Sequence, residues 1–176
     1  MNTVTVSSGC DEKNKMFMKV ALEEAKIAHE TGEVPVGCVF VDKHDNIIAR
    51  GHNRTNETRN GTQHAEIVAI NEVILKQGKS AKEFEDATLY VSCEPCIMCA
   101  AAIAKLKIKA VYFGCHNDRF GGNGSILSIH NNQAINCYHL YEVHAGLGAD
   151  EAINIFQKFY DSENRRAPEA KRRRKV

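Results

Sequence analysis

Two short motifs, about thirty residues apart, constrain this chain more than any other feature of its sequence. The first is His64-Ala65-Glu66 and the second is Glu94-Pro95-Cys96-Ile97-Met98-Cys99. Imidazole and thiolate ligands suit Zn²⁺, and a zinc site with three protein ligands keeps a fourth position open for water. Any fold of this chain should therefore bring His64, Cys96 and Cys99 to one point. We predict that these three residues bind a single zinc ion.

The acid beside the histidine separates a catalytic zinc site from a structural one. A structural zinc finger has no use for a free carboxylate, whereas a hydrolase needs a proton carrier beside its water. We predict that Glu66 shuttles protons for a zinc-bound hydroxide that adds to an amino-bearing ring carbon before ammonia leaves. His-x-Glu followed by Pro-Cys-x-x-Cys is typical of zinc-dependent nucleobase deaminases. The residues thus predict hydrolytic deamination but leave the substrate open.

A third cysteine, Cys93, makes an alternative set of zinc ligands possible. Cys93-x-x-Cys96 overlaps Cys96-x-x-Cys99, and three thiols with His64 would close a structural site that has no catalytic water. Cys93 ends a predicted strand, and Pro95 separates it from the helix face that carries the other two thiols. We therefore interpret Cys93 as a small buried residue. An inactive subunit with structural zinc is the alternative.

The periodicity of apolar residues predicts an α/β fold. A helix is predicted over 11–30, followed by a hairpin of strands within 36–51. The later predictions are helices at 63–76, 95–105 and 150–160, and strands at 89–91, at 108–113 and within 138–144. Helices and strands in this order indicate an α/β sandwich around a mixed sheet. Each zinc motif falls where a predicted helix begins, and the helix dipole there stabilises thiolates.

Charge is divided unevenly along the chain. Residues 165–176 contain seven basic residues and the single acid Glu169, so this tail carries +6. Because the whole chain carries +1, residues 1–164 carry −5. The basic residues of the tail are Arg165, Arg166, Lys171, Arg172, Arg173, Arg174 and Lys175. Three interpretations stay open: a contact to an RNA backbone, a nuclear localisation signal, or a solvated end.

The length of 176 residues favours one folded domain. We predict a disordered leader at 1–10, the zinc-dependent domain at 11–162 and the basic tail at 163–176. No apolar run approaches the roughly 18 residues that span a bilayer, so no membrane partner is expected. Residues 1–8 lack the features of a secretory signal, and seven cysteines without one indicate a reducing compartment. We expect the protein in the nucleus, the cytoplasm or both, and not secreted.

Further segments carry a resemblance to a known family. They are Glu33-Val34-Pro35-Val36-Gly37, Gly51-His52-Asn53, the run from Leu89 to Ala100, and Arg119-Phe120-Gly121-Gly122-Asn123-Gly124-Ser125. With the two motifs, they make residues 15–161 resemble the tRNA adenosine deaminases. The last segment is more similar to the catalytic subunit of the eukaryotic heterodimer than to the bacterial homodimer.

This resemblance implies a function, a fold and a partner. The implied reaction converts adenosine to inosine at the wobble position of the tRNA anticodon. The implied fold is three-layer α/β/α, cytidine-deaminase-like, with a five-stranded mixed sheet. The implied partners are tRNA and a paralogous subunit that lacks the catalytic acid. A deaminase of a free nucleotide or base, such as deoxycytidylate, guanine or cytosine, is the alternative because those enzymes share the zinc core.

The resemblance also implies four contacts to the substrate. Asn53 would hydrogen-bond the flipped nucleoside, although an asparagine there could also simply cap a turn. Val36 would line the base pocket, the backbone of Ala65 would contact the base, and Asn117 would contact the RNA.

Overall fold

The computed structural model describes residues 8–134 and 138–162, with side chains from residue 11 onward. Its helices are α1 (Ser8–Glu30), α2 (Thr55–Thr58), α3 (Ala65–Asn71), α4 (Ile97–Leu106) and α5 (Ala149–Asp161). Its strands are β1 (Gly37–Val41), β2 (Ile47–His52), β3 (Thr88–Cys93), β4 (Ala110–Cys115) and β5 (Glu142–Ala145). A π-helical turn, Glu72–Lys76, extends α3, and a 3₁₀ turn, Ala81–Phe84, precedes β3.

The five strands form one mixed sheet in the order β2-β1-β3-β4-β5. β1 runs antiparallel to both of its neighbours, β2 and β3. β3 pairs in parallel with β4, and β4 pairs in parallel with β5. This arrangement confirms the predicted five-stranded mixed sheet.

Both faces of the sheet are covered, as the alternation of side chains along β1 illustrates. Cys38 and Phe40 belong to a core cluster that includes residues of α3 and α4. Val39 and Val41 belong to a second cluster, formed with residues of α1 and α5. Successive side chains of a strand point to opposite faces, so a strand buried on both sides is continuously apolar. The result is the predicted three-layer α/β/α sandwich.

α1 packs unusually closely against β1 at Gly37. A Cβ atom there would lie 2.2 Å from the backbone nitrogen of Ala25 and 2.4 Å from the carbonyl oxygen of Ala21. Any side chain at Gly37 would therefore push α1 away from the strand. Glycine at this position therefore allows the start of β1 to lie directly against the backbone of α1.

The carboxyl ends of four strands meet at one edge of the sheet. β2, β3, β4 and β5 all run in the same direction, opposite to β1. In open α/β sheets, ligands bind in the crevice outside these carboxyl ends. The two zinc motifs follow β2 and β3, so the topology brings them to the same edge.

Some predicted boundaries differ from the structure. α1 begins at Ser8, so it overlaps the predicted leader by three residues, and residues 1–7 lie outside the described part. Pro95 was expected in the first turn of α4, but it precedes the N-cap residue Cys96. The predicted tail, 163–176, with its seven basic residues, lies outside the described residues. Within the described ranges, no helix is both long and apolar enough to cross a membrane.

Candidate metal centre and catalytic cavity

His64 and Cys96 each occupy the N-cap position of a helix, as the sequence predicts. Both have extended backbones, with ψ of 160° at His64 and 166° at Cys96, and neither side chain caps its own helix. The first amide of each helix is bonded elsewhere: Ala65 N–H donates to Asn53 Oδ1 at 2.8 Å. Ile97 N–H donates to a loop carbonyl at 2.9 Å. An N-cap side chain usually turns back to accept from the second or third amide of its helix. Neither His64 nor Cys96 does so, and the imidazole and the thiol are free to face each other.

The distances among the three predicted zinc ligands suit a tetrahedral ion. Nδ1 of His64 lies 3.4 Å from Sγ of Cys96 and 3.7 Å from Sγ of Cys99. The bond lengths of tetrahedral zinc place nitrogen and sulfur ligands about 3.6 Å apart. Within the described residues, this is the one group of three or more His, Cys, Asp and Glu residues whose ligand atoms converge. Its donor set therefore fits zinc, with one position left for water.

The electrostatics of the two thiols favour metal binding. The hydrogen bond from Cys99, reinforced by His64, lowers the pKa of the Cys96 thiol to about 4, although partial burial opposes the shift. The neighbouring Cys96, followed by burial, raises the pKa of Cys99 well above its ordinary value. The pair therefore holds one thiolate and one thiol before metal binding. Zinc binding would release the remaining proton, because thiolates are the ligands.

Glu66 lies beside the ligands in a buried position. It is in the first turn of α3 and only 3% exposed. It lines the same cavity as His64 and Cys96. Burial is the main cause that raises the pKa of Glu66 above the ordinary carboxyl value. A raised pKa brings a carboxyl group closer to the pH at which a general acid–base catalyst must both take up and release a proton.

Cys93 lies near the ligands but outside their cluster. It is paired with Cys115 in the register of β3 and β4, and the Cys115 thiol donates to the carbonyl of Ser92 at 3.6 Å. Each is 9% exposed and packs in the core cluster on the α1 and α5 side of the sheet. This geometry matches the interpretation of Cys93 as a small buried residue and leaves the metal cluster with three ligands.

Asn53 connects two segments of the cavity wall. Its Nδ2 donates to the carbonyl of Val34 at 3.0 Å, and its Oδ1 accepts from the amide of Ala65. The side chain is buried and lines the cavity. A primary amide has two N–H donors and two acceptor lone pairs, so each end can still make one more hydrogen bond. Both sequence-derived possibilities, a structural cap and a nucleoside contact, are therefore compatible with its geometry.

Of the other three residues predicted to contact the substrate, two line the cavity and one does not. Val36 lines the cavity. Ala65 is fully buried, does not line the cavity, and already donates its N–H to Asn53. Asn117 also lines the cavity, but its Oδ1 accepts from the amide of Phe120 at 3.1 Å. An RNA contact by Asn117 would therefore use its remaining hydrogen-bonding capacity or its backbone.

Glu94 is a site residue that no sequence motif predicted. Its side chain is buried at the end of β3 and accepts hydrogen bonds from the loop after β4. Burial alone would raise the pKa of Glu94, but hydrogen bonds from Ser125, Asn117 and Asn123 hold it below its ordinary value. A single signal was available, an acid between a buried strand and the Pro-Cys motif, but it did not indicate the partner of that acid.

The cavity at this edge has a volume of about 1420 Å³. Small-molecule sites typically measure about 300–1,000 Å³, so this one exceeds what a single nucleoside requires. Its rim carries large apolar side chains that are exposed to solvent: Met98 (37%), Phe120 (64%), Ile153 (43%) and Tyr160 (67%). A wide cavity with an aromatic rim is suited to several linked nucleotides rather than one.

Comparisons with known proteins agree on the zinc domain. A family model described as the cytidine and deoxycytidylate deaminase zinc-binding region matches residues 11–115. The matched region contains His64, Glu66, Cys96 and Cys99. The match confirms the prediction of a zinc cofactor.

Two relatives and one solved structure are similar over most of this chain. The tRNA-specific adenosine deaminase subunit tad2 of Schizosaccharomyces pombe is 47% identical over 158 residues, which cover 90% of this chain and 40% of that protein. The tRNA-specific adenosine deaminase 2 of Xenopus laevis is 42% identical over 168 residues, which cover 93% of this chain and 95% of that protein. A structure from studies of A-to-I editing by tRNA:A34 deaminases at the wobble position superposes with a TM-score of 0.72. It is 38% identical and covers 80% of this chain and 98% of its own.

Proposed function

This chain belongs to the tRNA-specific adenosine deaminases, within the cytidine and deoxycytidylate deaminase superfamily, and from this we propose that it edits adenosine to inosine in tRNA. The target is the adenosine at the wobble position of the anticodon. Water is consumed and ammonia is released, so the enzyme is a zinc-dependent hydrolase.

His64, Cys96 and Cys99 would hold the zinc ion, because their donor set and mutual distances fit one. Zinc held there supplies a water nucleophile that is ionised near neutral pH. Glu66 accepts the proton of the attacking water and delivers it to a ring nitrogen of adenine. It then takes the proton of the hydroxyl group added to the ring carbon and passes it to the departing amino group, so that the C–N bond breaks, inosine and ammonia leave and the carboxylate is restored.

One observation carries this proposal: a buried carboxyl group with a raised pKa lies beside the three ligands. Burying an acid costs free energy unless it is compensated, and a structural zinc site gains nothing from that cost. Glu66 is therefore explained by proton transfer at this site. The alternative of an inactive subunit leaves its burial unexplained.

The size of the cavity supports tRNA as the substrate rather than a free nucleotide. A base flipped out of its stack needs a pocket, and its flanking nucleotides need a surface beside that pocket. Val36 and Asn53 lie within the cavity, while Phe120 and Tyr160 lie at its exposed rim. We assign Val36 and Asn53 to the flipped nucleoside, Ala65 to the wall that Asn53 supports, and Asn117 to the adjoining RNA.

We also propose a paralogous, non-catalytic subunit as the partner. α4 and the two residues after the segment 119–125 expose three apolar side chains, Ile97 (36%), Ile126 (49%) and Leu127 (40%). They come from neighbouring segments, since a Cβ on Gly122 would lie 3.0 Å from the Cα of Ile97 and the amide of Leu127 donates to the carbonyl of Gly121 at 3.0 Å. Exposed apolar patches mark surfaces that other proteins cover. A second deaminase subunit on this face would bury them. The deaminase domain would comprise residues 11–162, and the protein would act in the nucleus, the cytoplasm or both.

Substrate class is tested directly by incubating the zinc-loaded chain, with and without the paralogous subunit, with two sets of substrates. One set is a tRNA that carries adenosine at the wobble position, and the other is free adenosine, cytidine, guanine and deoxycytidylate. We expect inosine at the wobble position and no ammonia from the free compounds. Ammonia from the free compounds alone would contradict the proposal.

Deletion of residues 165–176 is expected to weaken tRNA binding and leave the zinc content unchanged. The deletion removes a net charge of +6, and a protein that neutralises fewer phosphates binds RNA with a weaker dependence on salt. We expect at least about a tenfold rise in the Kd for tRNA at moderate salt, with a shallower slope against salt concentration. Filter binding at several salt concentrations measures both. An unchanged Kd and slope would assign the tail to localisation or to solvent instead.

A further inference from the structure

The side chain of Glu94 is fully buried, yet it lacks a buried cationic partner. Within residues 8–134 and 138–162, the ion-pair partner of Glu94 is His116, at 3.6 Å, and that side chain is 61% exposed. A buried carboxylate is tolerated when hydrogen bonds replace the water it has lost. The groups that donate to Glu94 therefore indicate what this carboxylate is for.

All four donors come from one segment, the loop 117–125. The amide of Asn117 donates to Oε2 at 3.1 Å. The amides of Asn123 and Ser125 donate to Oε1 at 2.9 and 3.1 Å, and the Ser125 hydroxyl donates to Oε2. An ionised carboxylate has about four acceptor sites, so this loop occupies them all. A single side chain thus fixes both ends of the loop.

The loop is folded tightly around this carboxylate. A Cβ atom on Gly121 would lie 2.5 Å from Oε1 of Glu94 and 2.7 Å from the carbonyl oxygen of Asn117. The amide of Gly122 donates to the carbonyl of Pro95 at 2.9 Å, and the amide of Ile97 donates to the carbonyl of Phe120 at 2.9 Å. The backbone of the loop is therefore bound to the segment that carries the metal motif.

The outer side of this loop faces the cavity mouth. Asn117, Arg119 and Phe120 line the cavity together with His64 and Glu66. The ring of Phe120 is 64% exposed, although its backbone is fixed by hydrogen bonds at both its amide and its carbonyl. An exposed aromatic ring on a fixed backbone offers a stacking surface for an unpaired base.

We propose that Glu94 is a positioning residue for RNA recognition: it holds the loop 117–125 so that Asn117 and Phe120 contact nucleotides beside the target adenosine. This inference rests on the proposed function for the identity of the substrate. The conformation of the loop does not depend on that function and can be measured separately. Glu94 thus acts through the loop, and it takes no part in proton transfer.

The test is Glu94→Gln in the full chain, loaded with zinc and purified with its partner subunit. Glutamine replaces one carboxylate oxygen by an NH2 group, which faces two donors of the loop, so half of the anchoring hydrogen bonds are lost. We expect the KM for wobble-adenosine tRNA to rise at least about tenfold, while kcat changes by less than about threefold. Zinc should stay at one ion per chain. Glu83→Gln removes the same charge at an exposed position of the 3₁₀ turn, and it should behave like the wild type.

A second measurement reports on the loop without requiring activity. Arg119 is exposed, so trypsin can cleave after it once the loop opens. We expect Glu94→Gln to be cut there at least about fivefold faster than the wild type, because local opening governs proteolysis. If Glu94→Gln does not fold, Ser125→Ala can replace it, because it removes one of the four donors. It should raise the KM and the rate of trypsin cleavage in the same direction but by smaller factors.

Three outcomes would overturn this inference: loss of zinc, a fall in kcat with unchanged KM, or unchanged trypsin cleavage and KM in both variants. Failure of the proposed function can be distinguished from these outcomes, because the wild-type complex would then form no inosine on tRNA. The cleavage rates would still decide whether Glu94 holds the loop.

Discussion

Glu66→Gln is expected to abolish deamination while leaving the zinc site and the fold in place. Glutamine has nearly the same shape but cannot take up the proton of the attacking water or return it to the leaving amine. General acid–base groups contribute about 10²–10⁴-fold to rate, so we expect kcat for inosine formation on tRNA to fall by at least about 100-fold. Replacing a buried acid by a neutral amide also removes a desolvation cost, so thermal stability should not fall.

A matched control for this variant is Glu72→Gln, in the π-helical turn that extends the same helix. Glu72 forms a partly exposed i,i+4 ion pair with Lys76 at 2.7 Å, and such pairs contribute about 0.5 kcal/mol or less. Its removal should leave kcat and KM unchanged. Wild-type kcat in Glu66→Gln, with zinc present, would show that another group transfers the protons.

Cys96→Ala is expected to abolish zinc binding, whereas Cys93→Ala is expected to retain it. Cys96 is the thiol with the lowered pKa and lies 3.4 Å from Nδ1 of His64. Loss of one of three protein ligands should weaken zinc at least about 100-fold, since even residues that only orient metal ligands contribute 10–100-fold. Cys93 pairs with Cys115 in the register of β3 and β4 and lies outside the cluster. Zinc per chain, measured by atomic absorption after dialysis against a weak chelator, distinguishes the two variants.

The effect of chelation on thermal stability should distinguish the same two variants. A metal that binds only the folded state raises the free energy of unfolding by mass action, so chelation should lower the Tm of the wild type and of Cys93→Ala. It should have no effect on Cys96→Ala, which has no zinc to lose. If Cys93→Ala folds like the wild type but loses zinc, the result would instead support the closed site with three thiols and one histidine.

Much of the architecture was predictable because it depends on local pattern. The alternation of helices and strands indicated an α/β sandwich around a mixed sheet, and the structure confirms it. The family prediction is confirmed by relatives that are more than 40% identical over most of this chain. Boundaries were less accurate. The strand expected at 108–113 is Ala110–Cys115, and α4 begins after Pro95 rather than at it.

The residue types of the candidate site could be predicted from short motifs. The contacts that these residues make with partners distant in sequence could not. Nothing near Asn53 in sequence indicated that its side chain caps α3 through Ala65. Likewise, the adjacent residues did not indicate that Cys93 would pair with Cys115, since that depends on the register of β3 against β4.

The sequence by itself determined the predicted chemistry of this protein: three residues of the types that bind zinc, an acid beside one of them, and the family that uses this combination. These follow from residue types and short spacings, which are fixed before the chain folds. Tertiary structure alone decided how His64 meets Cys96, and why four donors of the loop 117–125 converge on Glu94. Those contacts join residues more than 20 positions apart, and they exist because four strand ends and two helix N-termini meet at one edge of the sheet.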